Sequence, residues 1–223
     1  MLRMMTEEKS KNWRIIPEYP SYRILDHTKC VDCPQMKVLK ANQAKLNDDD
    51  KDSAVFIEHF PPEFKGDSTT KRIAMVGESP GRRETLLLKP FVGKSGQLLR
   101  KALLQLGYVR SEPPVIRLLI TNSVKCRCVL TPSVEAVRSC SGALSTEIDS
   151  FTPDLIIALG KTAFHALTDK GLEHLLGENR RKTFIYRGFP VRLTYHPAAA
   201  LRHTNYRILL YQDLKKYLAL LLQ

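Results

Sequence analysis

Apolar positions in this chain fall into short continuous runs separated by stretches of helical periodicity. The first clear run is Arg72-Ile-Ala-Met-Val76, and Ile116-Arg-Leu-Leu-Ile-Thr121 and Asp154-Leu-Ile-Ile-Ala-Leu159 repeat its character. Such runs are the length of strands and too short for buried helices. Between the first two, Leu98, Leu99, Ala102, Leu103 and Leu106 recur at helical spacing, and Gly107 suits the C-terminal stop. Residues 133–149 predict a second helix, with Pro132 and Ser133 near its start, and a short helix follows Gly160. Residues 182–187 and 190–194 read as two further strands separated by Gly188 and Phe189, and Leu210, Leu214, Tyr217, Leu218 and Leu221 line one face of a last helix. Apolar strands alternating with helices predict an α/β domain whose mostly parallel sheet is covered on both sides.

The N-terminal part is different. Residues 1–20 are polar and charged and are expected to be a disordered segment, with a single domain over 21–223. Within it, residues 42–70 hold an acidic stretch from Asn42 to Asp52, then Pro61, Pro62 and Gly66, and predict a surface loop. No apolar run approaches the roughly 20 residues that cross a bilayer, and the start MLRMMTEEKSKNW makes a poor secretory signal. A cytoplasmic protein with no membrane association is the default expectation.

Charge sharpens this picture. The 223 residues carry a formal net charge of +12, from 35 basic and 23 acidic side chains, which favours a polyanionic partner. The charge is also segregated. Between Arg82 and Lys101 there are six bases and one acid, Glu84; between Asn179 and Lys216 there are nine bases and one acid, Asp213. The acids gather instead at Asp48, Asp49, Asp50 and Asp52. Such separation is the footprint of a nucleic-acid surface. Five cysteines, Cys30, Cys33, Cys126, Cys128 and Cys140, are an odd number in a chain without a secretory signal. A disulfide framework is therefore disfavoured against metal or cluster ligation.

Parallel sheets bind ligands beyond the C-terminal ends of their strands. Gly77-Glu78 follows the first strand, Asn122 the second and His196 the strand Val191-Arg-Leu-Thr-Tyr195. If the strands run parallel, a carboxylate, an amide and an imidazole meet in one crevice. Taken singly, each has an ordinary explanation: a loop acid, a turn residue, and a cap before Pro197.

Four segments then occur in order: Gly77-Glu-Ser-Pro-Gly81, Pro90-Phe-Val-Gly93, Thr121-Asn-Ser-Val-Lys-Cys126 and Thr194-Tyr-His-Pro-Ala-Ala199. Together they resemble the family 4 uracil-DNA glycosylases, the iron–sulfur-containing class, whose pattern is close to GEAPG, PFVG, NVVKC and YHPA. The resemblance spans roughly Cys30 to the C-terminus. It implies a three-layer α/β/α sandwich with a central four-stranded parallel sheet, and a monofunctional DNA glycosylase that leaves an abasic site in base-excision repair. It further implies that Glu78 places the attacking water, Phe91 stacks on the extruded base, Asn122 reads the base edge and His196 stabilises charge on the departing base. Gly77 and Ser79 would border the base. Leu201, Arg202 and His203 match the loop that the family sets against DNA, with Leu201 a wedge candidate, although ordinary helix packing explains a leucine equally well. Cys30, Cys33, Cys126 and Cys140 match the ligands of a [4Fe–4S] cluster; four thiolates also suit tetrahedral zinc. DNA is the implied partner, with no protein partner and a monomeric state expected.

Some residues depart from the pattern. Ser79 stands where the family has alanine, Cys128 where it has proline, and Arg82-Arg-Glu-Thr-Leu-Leu-Leu-Lys89 replaces a segment that is commonly acidic and contains glycine. That segment borders the pocket, so a bulkier base, such as a modified cytosine in phage DNA, is the alternative substrate. The covalent DNA-trapping relatives use a histidine in a basic insertion after the second strand, and residues 123–140 contain none. Gly93-Lys94-Ser95 hints at a phosphate-binding loop, but Leu88 occupies the place of its required first glycine. A DNA-binding module without catalysis is the rival of another class, opposed by the intact Glu78, Asn122 and His196.

Overall fold

The computed structural model describes residues 58–60, 70–87, 89–109, 115–128, 130–168 and 176–223. The expectations for the segment 1–20, for most of the acidic loop and for Cys30 and Cys33 fall outside these residues. Among the described residues, six strands form one sheet: β1 (Glu58–Phe60), β2 (Lys71–Gly77), β3 (Ile116–Asn122), β4 (Leu155–Leu159), β5 (Phe184–Tyr186) and β6 (Phe189–Thr194). The spatial order is β1-β3-β2-β4-β6-β5. The inner four, β3-β2-β4-β6, are all parallel, as expected. Both edges are antiparallel additions. The β1 edge corrects the reading of 42–70 as a continuous loop: a three-residue strand formed by backbone pairing carries too short a pattern to be seen.

Eight helices connect the strands among the described residues: α1 (Arg82–Leu87), α2 (Lys94–Gln105), α3 (Val134–Ser139), α4 (Ser141–Phe151), α5 (Lys161–Thr168), α6 (Leu176–Asn179), α7 (Pro197–Arg202) and α8 (Thr204–Leu221). The inner strands are apolar throughout because both faces are covered. On β2, Ile73 and Met75 meet Leu99 and Leu103 of α2 and Leu210 and Leu214 of α8. Its alternate residues, Ala74 and Val76, meet Leu144 and Ile148 of α4 and Phe164 of α5. This is the three-layer sandwich.

Two boundaries differ from the sequence reading. The helix expected over 133–149 is broken at Cys140, which ends α3 and starts α4. Ser133 caps α3 by accepting from the Ala136 amide at 3.2 Å, but neither Pro nor Gly marks the break. The turn between the last two strands falls at Arg187-Gly188, both at positive φ (50° and 88°), which places Phe189 inside β6. Two successive left-handed residues match the right-handed twist of a hairpin. Among the described residues, no helix is long and apolar enough to cross a membrane.

A buried charge fixes the end of β3. The Lys125 ammonium donates to the Thr121 hydroxyl (2.9 Å), the Asn122 carbonyl (2.7 Å) and Glu147 Oε2 (2.6 Å). Thr121 donates to the same carboxylate oxygen at 2.7 Å. All three ammonium protons are matched to acceptors, so this inward lysine is tolerated. Its charge does not belong to the external basic footprint. Glu147→Gln is expected to leave the ammonium uncompensated and to cost about 3 kcal/mol. Lys125→Met/Glu147→Leu should recover most of that loss, as read from urea unfolding midpoints.

Candidate active site

The C-terminal ends of the parallel strands form one edge, and the register aligns them. Gly77 ends β2 opposite Asn122, which ends β3, and Leu159 at the end of β4 pairs with Thr194 at the end of β6. Glu78 and His196 therefore leave the sheet at the same edge as Asn122.

Gly77 is the junction of this edge. A Cβ on it would lie 2.4 Å from Phe91 Cζ and 2.5 Å from Asn122 Oδ1, far inside van der Waals contact. Only a bare Cα allows the Phe91 ring and the Asn122 amide to share this place. Asn122 is 2% exposed, and no described residue hydrogen-bonds its side-chain amide. The amide is thus held by packing, with its donor and acceptor still available.

The Phe91 backbone is left-handed, at φ 53°, an uncommon state for an aromatic residue that needs support from its surroundings. Two side chains supply it. The Arg100 guanidinium donates to the Phe91 and Pro90 carbonyls, each at 2.8 Å. Glu84 Oε1 accepts from the Val92 and Gly93 amides at 2.9 and 2.6 Å. The loop is held between a buried carboxylate and a half-buried guanidinium, and the Phe91 ring lies 6.0 Å from the His196 ring.

His196 caps α7: its Nδ1 accepts from the Ala198 amide at 3.1 Å. The capping explanation and a place in the crevice therefore hold together. Because Nδ1 is an acceptor, the ring proton sits on Nε2. Burial pushes the imidazole pKa down to about 4, and the Arg202 charge adds to the shift, so the ring is neutral at pH 7. Close approach is again permitted by a glycine: Gly160, at φ 89°, would place a Cβ 2.9 Å from the His196 Cβ. Just beyond the end of β2, Glu78 Oε2 accepts from the Thr162 hydroxyl of α5 at 2.6 Å. Ser79 is half-buried beside Glu78.

Leu201 is 48% exposed at the end of α7, and Arg202 and His203 are exposed next to it. His203 meets the edge of Tyr206, which stacks on Tyr195 at 4.4 Å and 13°, and the Arg180 guanidinium lies 5.2 Å from the Tyr195 centroid. Arg180 is paired with Asp213 through two bonds of 2.7 Å.

The sequence reading missed Glu84, Arg100, Thr162 and this aromatic stack. The lone acid in a basic stretch was a usable signal for Glu84. Arg100 and Arg180 had been counted as external charge, but both are engaged within the protein. Thr162 carried no signal, since a threonine in a first helical turn is ordinary.

Of the cysteines, Cys140 is buried with Val124 and Val137, and Cys126 and Cys128 pack against the same patch. Thiols are soft ligands, which suit a cluster or zinc better than a hard cation. Among the described residues, no group of three or more His, Cys, Asp or Glu side chains could hold a metal ion; Cys30 and Cys33 are not among them.

Comparison with known proteins identifies the family. The uracil DNA glycosylase superfamily model matches residues 64–221. The type-4 uracil-DNA glycosylase of Pyrobaculum aerophilum is 39% identical over 153 residues, covering 65% of this chain and 76% of that protein. The type-4 enzyme of Sulfurisphaera tokodaii is 35% identical over 161 residues, covering 65% and 67% respectively. That of Saccharolobus solfataricus is 34% identical over 161 residues, covering 68% and 72%. A family match over residues 64–221, with relatives at 34–39% identity, makes this chain a member of the uracil-DNA glycosylase superfamily.

Proposed function

We propose that this protein hydrolyses the N-glycosidic bond of a base swung out of DNA, uracil first among substrates, and leaves an abasic site. The observation that carries the reading is the neutral, Nε2-protonated His196 facing Phe91 at the edge that also presents Asn122 and Glu78. Extruding a nucleotide costs roughly a few kcal/mol, and stacking on Phe91 recovers part of it. The Asn122 amide offers one donor and one acceptor to the imide edge of uracil. As the bond breaks, negative charge gathers on the base and positive character on the sugar. The Nε2 proton of His196 stabilises the first, and the Glu78 carboxylate stabilises the second and orients water. Thr162 occupies one Glu78 oxygen and leaves the other for that water.

Cys30, Cys33, Cys126 and Cys140 would hold a [4Fe–4S] cluster. Its chemistry here is ligation that ties the N-terminal segment to the loop after β3. Cys140 supplies a buried thiol and Cys126 a half-buried one beside the same apolar patch, and Lys125, beside Cys126, is anchored in the core. Iron and acid-labile sulfide are expected in the protein as isolated, lost in Cys140→Ser and kept in Cys128→Ser. Zinc in their place would overturn the assignment.

Glu78→Gln is expected to lower turnover by about 10²–10⁴-fold while leaving DNA affinity near wild type. The assay uses oligonucleotides bearing uracil, hypoxanthine or modified cytosines, followed by alkali to cleave abasic sites. Release of modified cytosines alone would transfer the reading to the bulkier substrate class, and binding without any release would reduce it to a DNA-binding module.

The depressed His196 pKa sets a pH dependence. The folded ring resists protonation down to about pH 4, whereas the unfolded ring takes up a proton near its ordinary value of about 6.5. Between these values the unfolded state binds more protons, so stability falls as pH falls through this window. The stability difference between wild type and His196→Asn, which retains a capping side chain, should shrink from pH 7 to pH 5 in urea titrations. The wild-type pH–rate profile should show no inflection near 6.5.

A further inference from the structure

Helix α1 follows directly from the Glu78 loop and lies at the edge of the site. Its inward residues are Glu84 and Thr85, both buried. Glu84 is the only acid from Arg82 to Lys101, and its carboxylate faces the Val92 and Gly93 amides. The outward residues are Arg82 and Arg83, both exposed, with Leu86 and Leu87 at 48% and 54% exposure. This face therefore combines cations and apolar side chains without a carboxylate. Lys94 at the start of α2 is exposed as well.

We propose that Leu86 and Leu87, with Arg82 and Arg83, form a second DNA-engaging prong, on the flank of the crevice opposite Leu201. Resting on the glycosylase reading, it assigns a partner surface that the four motifs do not cover. The argument is charge complementarity joined to position. The arginines call for an anionic partner, and the leucines for flat apolar surface beside it. DNA offers both where a base has left its stack. In the sheet, β4 separates β2, which leads to α1, from β6, which leads to Leu201. Two strand spacings are roughly 10 Å, on the order of three nucleotides at about 3.4 Å each. That is the spacing of the strands from which the two segments depart, and in this proposal the prongs bracket the extruded nucleotide. Leu201 and Arg202 act on one side, and Leu86, Leu87 and the arginine pair act on the other.

Two variants test the proposal in the full-length protein. Leu86→Ser/Leu87→Ser removes the apolar tip, and Arg82→Gln/Arg83→Gln removes the charges. All four side chains are exposed, so the thermal unfolding midpoints should match wild type. A wedge acts only where neighbouring bases are stacked. The leucine variant should therefore lose about tenfold in kcat/KM on a uracil-containing duplex and stay within about twofold on the same strand alone. The arginine variant should lower the slope of log affinity against log salt for duplex binding by about two units. Equal effects on both substrates, no effect on the duplex, or an unchanged salt slope would each overturn the prong. If wild type releases no base from either substrate, the glycosylase reading fails instead, and the salt slope alone decides the inference.

Discussion

The architecture of the site depends on an absence of atoms at Gly77. This residue ends β2, one of the two middle strands of the parallel set, and a single methyl there would overlap both an aromatic ring and an amide oxygen. The close approach is possible because β2 and β3 are held in register up to their last residues. Beyond Asn122, Ser123 locks the chain by donating to the Gly77 carbonyl at 2.8 Å. The parallel sheet therefore works as a jig. It sets the positions of side chains that are far apart in sequence to within the width of an atom.

Around that junction, buried polar groups satisfy one another and stay out of the chemistry. Lys125 grips the last turn of β3 through Thr121, Asn122 and Glu147. Glu84 and Arg100 brace the strained Phe91 loop from opposite sides. Asp213 receives both Arg180 and Thr194. Each of these groups would be expensive if left unpaired in the interior. Paired, they give the rigidity that preorganised electrostatics needs, because a donor aimed at developing charge is effective only if it need not reorganise.

How much of this was legible in sequence follows from how locally each feature is encoded. The inner strands were plain because burial on both faces makes a strand apolar at every position. Their parallel order then placed Glu78, Asn122 and His196 at one edge before any coordinates. The outer strands were less visible: β1 is three residues long, and the β5–β6 turn depends on the left-handed backbone of Arg187, a residue type that does not announce one. The break at Cys140 left no mark either, since helical amides shift there without proline or glycine. Charge was read correctly in sum and imperfectly in place. A lysine or arginine looks the same on paper whether it meets solvent or, like Lys125 and Arg100, a buried carbonyl. Position relative to a strand end could be inferred from order along the chain, whereas Thr162 reaches Glu78 across 84 residues.

The helix α8 closes the molecule in a particular sense. Tyr108 donates to the Leu214 carbonyl at 2.7 Å, Thr194 donates to Asp213 at 2.7 Å, and Tyr217 donates to the Leu193 carbonyl at 2.6 Å. Partners from the turn after α2 and from the last strand thus wait for residues of α8. During translation, the part of this sheet face that α8 shares with α2 stays open until α8 has left the ribosome. Until then the nascent chain exposes the apolar positions that Leu210, Leu214 and Tyr217 later cover, a surface suited to chaperones that bind emerging polypeptides.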